Sequence, residues 1–466
     1  MKQALFVAYY FPPIAATGAM RPLGFCRHLP TYGWHPAVLT TTPESVYPPH
    51  PVDHHLETYV PQDVRVEHVG YRDSLTRLIE ARERTRSFVS RRFFARSRSK
   101  MPVMSDSPRT DAVVEPRSIV KDAVLDWLFA FPDRQASWIS PAVRRITDLT
   151  QHAMPDIVIA TGGPWSNFVV GRTLARRLKC PLILDYRDPW TCNPYYAFSA
   201  DFLTERARRL EKSICLEAAR VITNTEELRQ RLCAEYPEIS HKCVAIPNGF
   251  DPEILGMGSI NQVESEPTAK GYELCHFGTV YGKRTPRVLL RAVWELYQEG
   301  LIKPEQLRLR FVGAWESTDE KCNNLAEILE KHAMLARMPP VSHQTCVRQM
   351  KEASVLLIVQ PESPLQIPGK IYEYIAVGRP LFLVGGEGAT AGLVERHNLG
   401  ISCPNEVNEL KEALRNIIAG LIPLRRPDSQ AVNRFAYRRL AGELAQLLDA
   451  AMTETASDKE RPVRRE

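Results

Sequence analysis

The sequence predicts an α/β protein with two doubly wound parallel sheets, one in each of two domains. Strand-length apolar runs recur along the chain, and a helical pattern follows many of them. The runs are continuously apolar and not alternating, which is typical of parallel strands buried on both faces. Repeated alternation of strand and helix favours doubly wound sheets. The length of 466 residues suits two or three domains.

The order of the runs sets the domain boundaries. Six runs lie in residues 1–250: ALFVAYY, HPAVLTT, PDIVIATG, PLILDYRD, ARVITNT and KCVAIPNG. Four more lie in residues 271–427: YELCHFG, LRLRFVG, SVLLIVQ and PLFLVGG. The intervening residues 251–270 are polar and lack periodicity, so they are expected to form a linker. Residues 428–456 carry a helical apolar stripe, and the charged residues 457–466 are expected to be a disordered tail.

Composition favours an intracellular globular protein. The chain is 44% hydrophobic and 24% charged, and its ten cysteines lack paired metal-ligand spacing. They are expected to be buried thiols in a reducing compartment. The N-terminal MKQALFVAYYFPP lacks a small-residue cleavage site, and no run approaches the ~20 apolar residues that span a bilayer. We therefore expect a cytoplasmic protein.

The positive charge is concentrated in one segment. The formal net charge is +6, and residues 72–100 hold ten Lys/Arg against three acids, a balance of +7. This segment belongs to a predicted basic insertion at about 72–118 in the first domain. Phe88, Val89, Phe93 and Phe94 lie among its arginines. Such a segment suits an anionic membrane surface. The alternative is a basic insertion with no partner, and nucleic acid is not expected because no binding motif accompanies the charge.

In the first domain, candidate site residues follow the predicted strands. They are Thr17, Gly18, Gly162, Gly163, Asp185, Arg187 and Asp188. Open parallel sheets place ligands at the carboxyl ends of their strands. The two glycines at 162–163 precede a helix predicted to begin at Ser166, whose free amides would be available to an anion. The alternatives are an ordinary strand–helix turn for the first loop and a structural ion pair for DYRDPW.

The second domain repeats this arrangement. Its first strand is followed by Gly278 and Thr279, then by Lys283 and Arg284 just before a helix. Cations beside a helix N-terminus favour a diphosphate group. The alternative is a solvated basic turn.

A lysine and a glutamate share one face of a short helix in QIPGKIYEYIAVGRPLFLVGG. Lys370 and Glu373 lie one turn apart at its start, behind Pro368-Gly369. The lysine can donate to a phosphate and the glutamate can accept from a ribose diol. The alternative is a surface ion pair.

Together these stretches resemble family 4 glycosyltransferases, which have the GT-B fold of two Rossmann-like domains facing a cleft. The stretches are FPPIAATGAMRPLGFCRHLPTYGWHPAVLT, PDIVIATGGPWSN, DYRDPW, IPNGFD, FGTVYGKRTPRVLLRAV and PGKIYEYIAVGRPLFLV. The resemblance covers nearly the whole chain except 72–118 and the extreme C-terminus. It is closest to the branch that builds bacterial capsular, exopolysaccharide and O-antigen repeats.

The resemblance implies transfer of a hexosyl or N-acetylhexosaminyl group from a nucleotide donor, usually UDP-linked, with retention. No cofactor and no metal are implied. Residues 1–250 would bind the acceptor and 271–427 the donor, with the C-terminal helix crossing back to the first domain. Donor contacts would come from Gly278, Thr279, Lys283, Arg284, Lys370 and Glu373, and catalytic groups from Arg187, Asp188, Arg284 and Lys370.

Arg284 occupies the place of the family's phosphate lysine, and Glu373 occupies the place of the second glutamate in its paired-glutamate motif. Two other positions depart from the family pattern. The first glutamate is replaced by Leu365, and many relatives carry a histidine where this chain has Arg187. The sugar contacts of those two family residues therefore do not carry over.

The implied partners are a nucleotide sugar and a saccharide or polyprenyl-linked acceptor. Such lipid-linked acceptors lie at the inner leaflet of the cytoplasmic membrane, so a peripheral location there is expected. Two other functions stay open: a nucleotide-sugar 2-epimerase, which shares the fold, and a degenerate sugar-nucleotide-binding protein without catalysis.

Overall fold

A computed structural model gives the architecture of the chain. It describes residues 2–460 apart from 47–48, 74–126, 129, 152, 194–197, 258–270, 283 and 362. The basic segment after residue 73, Lys283, most of the predicted linker and residues 461–466 therefore lie outside the described residues. The chain divides into two compact units. Unit 1 is Met1–Asn224, Arg229–Ile246 and Ala441–Glu466, and unit 2 is Thr225–Leu228 and Pro247–Leu440.

Unit 1 is built on a seven-stranded parallel sheet. Its strands are β1 Lys2–Val7, β2 Trp34–Thr41, β3 Arg65–Val69, β4 Ile157–Gly162, β5 Leu182–Tyr186, β6 Arg220–Thr223 and β7 Cys243–Ala245. They lie in the order β3-β2-β1-β4-β5-β6-β7. The α-helices between them are α1 Thr17–His28, α2 Ala136–Arg144, α3 Ile146–Thr150, α4 Ser166–Leu178, α5 Asp201–Glu217 and α6 Glu226–Glu235.

Unit 2 is built on a six-stranded parallel sheet. The strands from here on are β8 Tyr272–Phe277, β9 Val280–Tyr281, β10 Leu307–Val312, β11 Trp315–Glu316, β12 Leu335–Met338, β13 Val355–Gln360, β14 Leu381–Gly385 and β15 Gly400–Cys403. The main sheet has the order β12-β10-β8-β13-β14-β15, and β9 pairs separately with β11. The helices are α7 Arg287–Gln298, α8 Glu320–Lys331, α9 His343–Glu352, α10 Lys370–Val377, α11 Ala389–Arg396, α12 Val407–Ile418, α13 Ser429–Arg434 and α14 Tyr437–Glu460.

Each sheet has a point where the strand order reverses. In unit 1 the chain passes from β3 on one side of β1 to β4 on the other, and in unit 2 from β12 to β13 across β8. Loops on the two sides of such a point diverge, and the crevice between them at the carboxyl edge is where open sheets bind ligands. In unit 1 this edge carries the predicted residues around Gly18, Gly162 and Arg187. In unit 2 it carries Gly278.

The predicted α/β class is confirmed, and all ten predicted strands are present. Their apolar side chains fill the sheet cores, and β13 is buried along its whole length. The final helix α14 continues to Glu460, past the predicted start of the tail at residue 457. From Ala441 onward α14 belongs to unit 1, where Asp449 accepts hydrogen bonds from Lys2 (2.6 Å) and Trp34 (2.9 Å). Within the described part of the chain, no helix combines the length and apolar content that a membrane span requires.

Candidate functional site

The carboxyl end of β8 is shaped by two glycines in close contact. Gly278 follows β8 with φ +153°, and its amide donates to Val312 O (2.9 Å). A Cβ on Gly313 would lie 2.2 Å from Gly278 O. No side chain fits at position 313, so the backbones of Gly278 and Gly313 pack directly against each other, next to exposed Thr279.

The start of α10 carries the predicted pair as a salt bridge. Lys370 Nζ donates to Glu373 Oε2 (3.0 Å), and His343 Nε2 lies 3.6 Å from the same oxygen. Burial acts to raise the pKa of Glu373, but hydrogen bonds from His343 and Lys370 outweigh it and hold that pKa below its usual range. The carboxylate is therefore ionised and only about a quarter exposed. It is a strong acceptor at the N-terminal turn of the helix.

His276, within β8, is a site residue that the sequence reasoning missed. Its Nδ1 lies 3.0 Å from Leu357 O, and because a carbonyl only accepts, Nδ1 carries the proton. Burial, together with the charges of Arg284 and Lys370, lowers the pKa of His276 to about 4, although the hydrogen bond to Leu357 opposes this shift. The imidazole is neutral, and its Nε2 faces Gly278 as an acceptor. The available signal was a polar residue inside the apolar run LCHF.

Two predicted cations converge on this histidine. Arg284 packs its guanidinium over the ring of Tyr281 (5.5 Å), and its amide donates to Tyr281 O (3.0 Å). Arg284 and Lys370 both act electrostatically on His276, so the structure brings the three side chains together at the carboxyl edge of the sheet. Two cations beside a helix N-terminus suit a diphosphate, and the nearby carboxylate suits a pair of hydroxyls.

Tyr374 joins α10 to the end of β8. Its hydroxyl accepts a hydrogen bond from the amide of Phe277 (2.8 Å) and lies 3.4 Å from Phe277 O. Burial raises the pKa of Tyr374 well above its ordinary value, so the hydroxyl stays neutral. This contact fixes Lys370 and Glu373 relative to the loop at Gly278.

In unit 1, the side chain of Arg187 packs against the carboxyl edge of the sheet. Its Nε donates to Gly162 O (3.0 Å), and its Nη2 donates to Gly163 O. Its guanidinium passes directly over Gly18 in the first turn of α1, where a Cβ would lie 1.8 Å from Nη1. Burial lowers the pKa of Arg187, and the charge of half-buried Asp188 opposes this effect. The structure thus brings Gly18, Gly162, Gly163 and Arg187 together, while Thr17 is exposed beside them.

The glycines at 162–163, at the end of β4, do not precede a free helix N-terminus, contrary to the expectation from the sequence. Asp133 occupies it: the amide of Ser166 donates to Oδ2 (2.8 Å) and the Ser166 hydroxyl to Oδ1 (2.5 Å). Burial raises the pKa of Asp133 although hydrogen bonds from Ser166 oppose the rise. The anion site of α4 is filled by the protein itself, and Gly162 and Gly163 instead offer carbonyl oxygens to Arg187.

Asp185 forms a buried ion pair with Arg21. Arg21 Nε lies 3.0 Å from both carboxylate oxygens, and Nη2 lies 2.8 Å from Oδ1. The same Nη2 also donates to Ile246 O (2.9 Å), so one guanidinium connects three segments of unit 1. Asp185 is 2% exposed. This geometry matches the structural alternative for DYRDPW, and it leaves Arg187 and Asp188 as the groups at the strand tip.

A second missed residue, Glu211 on α5, supports the loop that carries Arg187 and Asp188. Its carboxylate is fully buried and accepts from the hydroxyls of Tyr186 (3.1 Å), Tyr236 (3.1 Å) and Thr191. Tyr186 and Thr191 bracket the loop, so one carboxylate holds both of its ends. Burial raises the pKa of Glu211, and the three hydroxyls oppose that rise.

Solved structures of similar fold match nearly the entire chain. Anabaena Alr3699/HepE, in complex with UDP and glucose, is 15% identical with a TM-score of 0.53, over 98% of this chain and 100% of that one. Sucrose-phosphate synthase from Thermosynechococcus elongatus is 14% identical with a TM-score of 0.54, over 98% of each chain. A trehalose-6-phosphate protein from E. coli, bound with UDP-2-fluoro glucose, is 12% identical with a TM-score of 0.55, over 100% of each chain.

These likenesses confirm the predicted fold, which is the GT-B fold of glycosyltransferases with its two parallel-sheet domains. The family model of Glycosyltransferase Family 4 matches residues 103–254, about a third of the chain. No curated protein matches the sequence.

Proposed function

We propose that this protein is a retaining glycosyltransferase that moves a sugar from a UDP-linked donor to a hydroxyl group. The observation that carries the proposal is the cluster at the carboxyl edge of unit 2, where the charges of Arg284 and Lys370 act on His276 beside Gly278 and Lys370 pairs with Glu373. The similarity of residues 103–254 to glycosyltransferase family 4 supports it. UDP in the similar Anabaena and E. coli structures supports the choice of nucleotide.

The chemistry follows from the charges. Cleavage of the bond between the sugar and the diphosphate leaves negative charge on the leaving group. Arg284, Lys370 and the amides at the start of α10 stabilise that charge without a bound metal. Lys370 exchanges its contact with Glu373 for a phosphate oxygen, and Glu373 then accepts from the ribose hydroxyls.

Unit 1 supplies the remaining proposed groups. Arg187 and Asp188 lie at the tip of β5, and the loop at Gly18 provides small residues for the acceptor. Arg187 takes the place of the histidine that many relatives carry. The hexosyl or N-acetylhexosaminyl identity of the donor sugar depends on contacts near Leu365, where the family glutamate is missing.

The proposed biological role is surface-polysaccharide synthesis with a saccharide or polyprenyl-linked acceptor. The segment 72–100, with its balance of +7, would bring the enzyme to the anionic inner leaflet.

The first experiment is UDP titration by calorimetry with chelator present. We expect unchanged affinity with and without magnesium, because fixed cations hold the diphosphate. The Arg284→Ala variant should bind at least about tenfold more weakly, since a charge-assisted hydrogen bond contributes roughly 1.5–3 kcal/mol. The matched control is Arg287→Ala, whose arginine is about half exposed and paired with Asp319 at 3.3 Å. Loss of UDP binding on chelation would refute the metal-free mechanism.

The second experiment is product analysis. NMR of the product formed from a UDP-sugar should show the anomeric configuration of the donor. An inverted product would contradict retention, and C2 epimerisation of the donor without transfer would favour the epimerase.

A further inference from the structure

A cavity of about 490 Å³ lies in unit 1 at the amino ends of two neighbouring strands. Its floor is formed where β5 and β6 begin, at Leu182 and Arg220. The C-terminal ends of α4 and α5 form its sides, and α14 contributes Ala451, Glu454 and Thr455. Helices and strands of the unit, and not only surface loops, therefore form its walls.

This cavity is distinct from the proposed active site. Arg187 and Asp188 follow the carboxyl end of β5, whereas the cavity opens at the amino end of the same strand. A rise of about 3.3 Å per residue puts Leu182 roughly 16 Å from Arg187. The proposed transfer reaction does not account for the cavity.

The lining of the cavity is strongly basic. It contains two carboxylates, Glu217 and Glu454, and the five cationic residues Arg172, Arg176, Lys179, Arg220 and Lys242. The excess is three positive charges, and His241 adds a group that can also be charged. A concave surface focuses such a field more than a flat one does.

Lys242 is the most deeply placed of these cations, with 8% of its surface exposed. Its ammonium donates to Leu216 O (2.8 Å) and Ala218 O (2.7 Å), which neutralises the carbonyl groups at the end of α5. Those carbonyls would otherwise repel an anion. An ammonium group has three N–H donors, so one remains without a partner among the described residues.

Burial disfavours the charged forms of two of these cations, and each is also repelled by a neighbouring arginine. Burial lowers the pKa of Lys242, and the charge of Arg220 lowers it further. Burial also lowers the pKa of Arg172, and Arg176 adds to that effect although Glu217 opposes it. An anion bound here would stabilise the charged forms of both side chains.

The two carboxylates partly offset the positive charge of the cavity lining. Arg176 forms a bidentate salt bridge with Glu217 (2.8 and 2.7 Å), and Arg220 pairs with Glu454 from α14. The Glu454 side chain is 61% exposed, so it can leave Arg220 without losing a buried environment. One arginine would then be released toward a ligand.

We propose that this cavity binds a phosphate-bearing group, as a diphosphate or phosphate ester, through Arg172, Arg176, Arg220 and Lys242. A small phosphorylated metabolite and a phospholipid headgroup share this chemistry. The site is independent of the donor nucleotide, so its occupancy gives unit 1 a way to respond to phosphorylated compounds.

The test is calorimetric titration of inorganic pyrophosphate. The protein is the full chain carrying Arg284→Gln and Lys370→Gln, so that the proposed donor site does not compete. We expect one site per chain. In this background Arg176→Gln should weaken binding about tenfold or more. Its side chain is 64% exposed, so the variant should fold.

Two further variants sharpen the experiment. Glu454→Gln removes a competing carboxylate and should tighten binding. Arg209→Gln is the matched control, because Arg209 is an exposed arginine of the same unit that pairs with Glu205 at 3.0 Å. It should leave binding unchanged.

The source of the phosphate is settled by a parallel titration with dihexanoyl phosphatidylglycerol below its micelle concentration. Binding of pyrophosphate alone indicates that the natural ligand is a soluble compound, and tighter binding of the lipid indicates a phospholipid headgroup. In both cases Arg176→Gln must weaken the binding. Absence of binding by both probes, or equal weakening by Arg176→Gln and Arg209→Gln, would overturn the proposal.

Discussion

Gly18→Ala should move Arg187 without unfolding the protein. The added Cβ would lie 1.8 Å from Nη1 of Arg187, whereas ordinary contacts begin near 3.4 Å. The guanidinium would have to retreat by the difference, about 1.6 Å. Its 3.0 Å hydrogen bond to Gly162 O cannot survive that movement. The clash involves the end of a flexible side chain, so the backbone of α1 can stay in place.

The magnitude follows from two opposing terms. A hydrogen bond to a charged group contributes about 1.5–3 kcal/mol, and alanine is favoured over glycine in a helix by roughly 1 kcal/mol. The free energy of unfolding of unit 1 should therefore fall by about 0.5–2 kcal/mol when the hydrogen bond to Gly162 O is lost. Turnover should fall at least about tenfold if Arg187 acts on the substrate.

A double-mutant cycle checks the reasoning. In an Arg187→Ala background the clash is absent, so Gly18→Ala should no longer destabilise the protein and should stabilise it slightly. Urea unfolding and sugar transfer from a UDP donor would be measured for all four proteins. Equal destabilisation by Gly18→Ala in both backgrounds would refute the proposed contact.

The remaining predictions concern unit 2 and the basic segment. Glu373→Ala should lower turnover at least about tenfold, because charge-assisted hydrogen bonds to the ribose are lost, whereas the control Arg287→Ala should stay near the wild-type rate. Equal transfer rates for Glu373→Ala and the wild type would contradict the ribose-binding role of Glu373. The pKa of His276 is about 4 in the fold, so the unfolded chain takes up the proton first. Stability is therefore lost as pH falls from about 6.5 to about 4, by up to about 3 kcal/mol, and His276→Gln should flatten this dependence in unfolding titrations. Deletion of 72–100 should abolish salt-sensitive co-sedimentation with anionic vesicles, and equal pelleting of the deletion variant would place any membrane contact elsewhere.

The interior strands of both main sheets were predictable from the sequence, and three of their four edge strands were not. β1, β4, β5, β8 and β13 are covered on both faces, so they appear as continuous apolar runs. The missed strands β3, β12 and β15 lie at sheet edges and are only partly buried. Their sequences RVEHV, LARM and GISC contain charged or polar residues, which carry no strong strand signal. The two-residue strands β9 and β11 are too short for any periodicity.

In the candidate site, contacts between residues of one helix were predictable from the sequence, and contacts between distant segments were not. Lys370 and Glu373 share a helix face, so their spacing alone places them together. Arg21 and Asp185 are 164 residues apart, and no pattern in either segment indicates the other. Asp133 likewise reaches Ser166 from a separate loop, so the prediction of free amides at α4 was wrong.

The support beneath the Arg187 loop has an evolutionary consequence. Three hydroxyl groups, those of Tyr186, Thr191 and Tyr236, donate to the one buried carboxylate of Glu211. Loss of a single hydroxyl leaves the buried carboxylate with one hydrogen-bond donor too few. Replacing the carboxylate and all three hydroxyls with apolar residues leaves no buried group that needs a donor. Homologous sequences should therefore covary at these positions, keeping all four polar groups or none. The neighbouring Arg187 and Asp188 can meanwhile diversify with the substrate, since their support does not depend on what they bind.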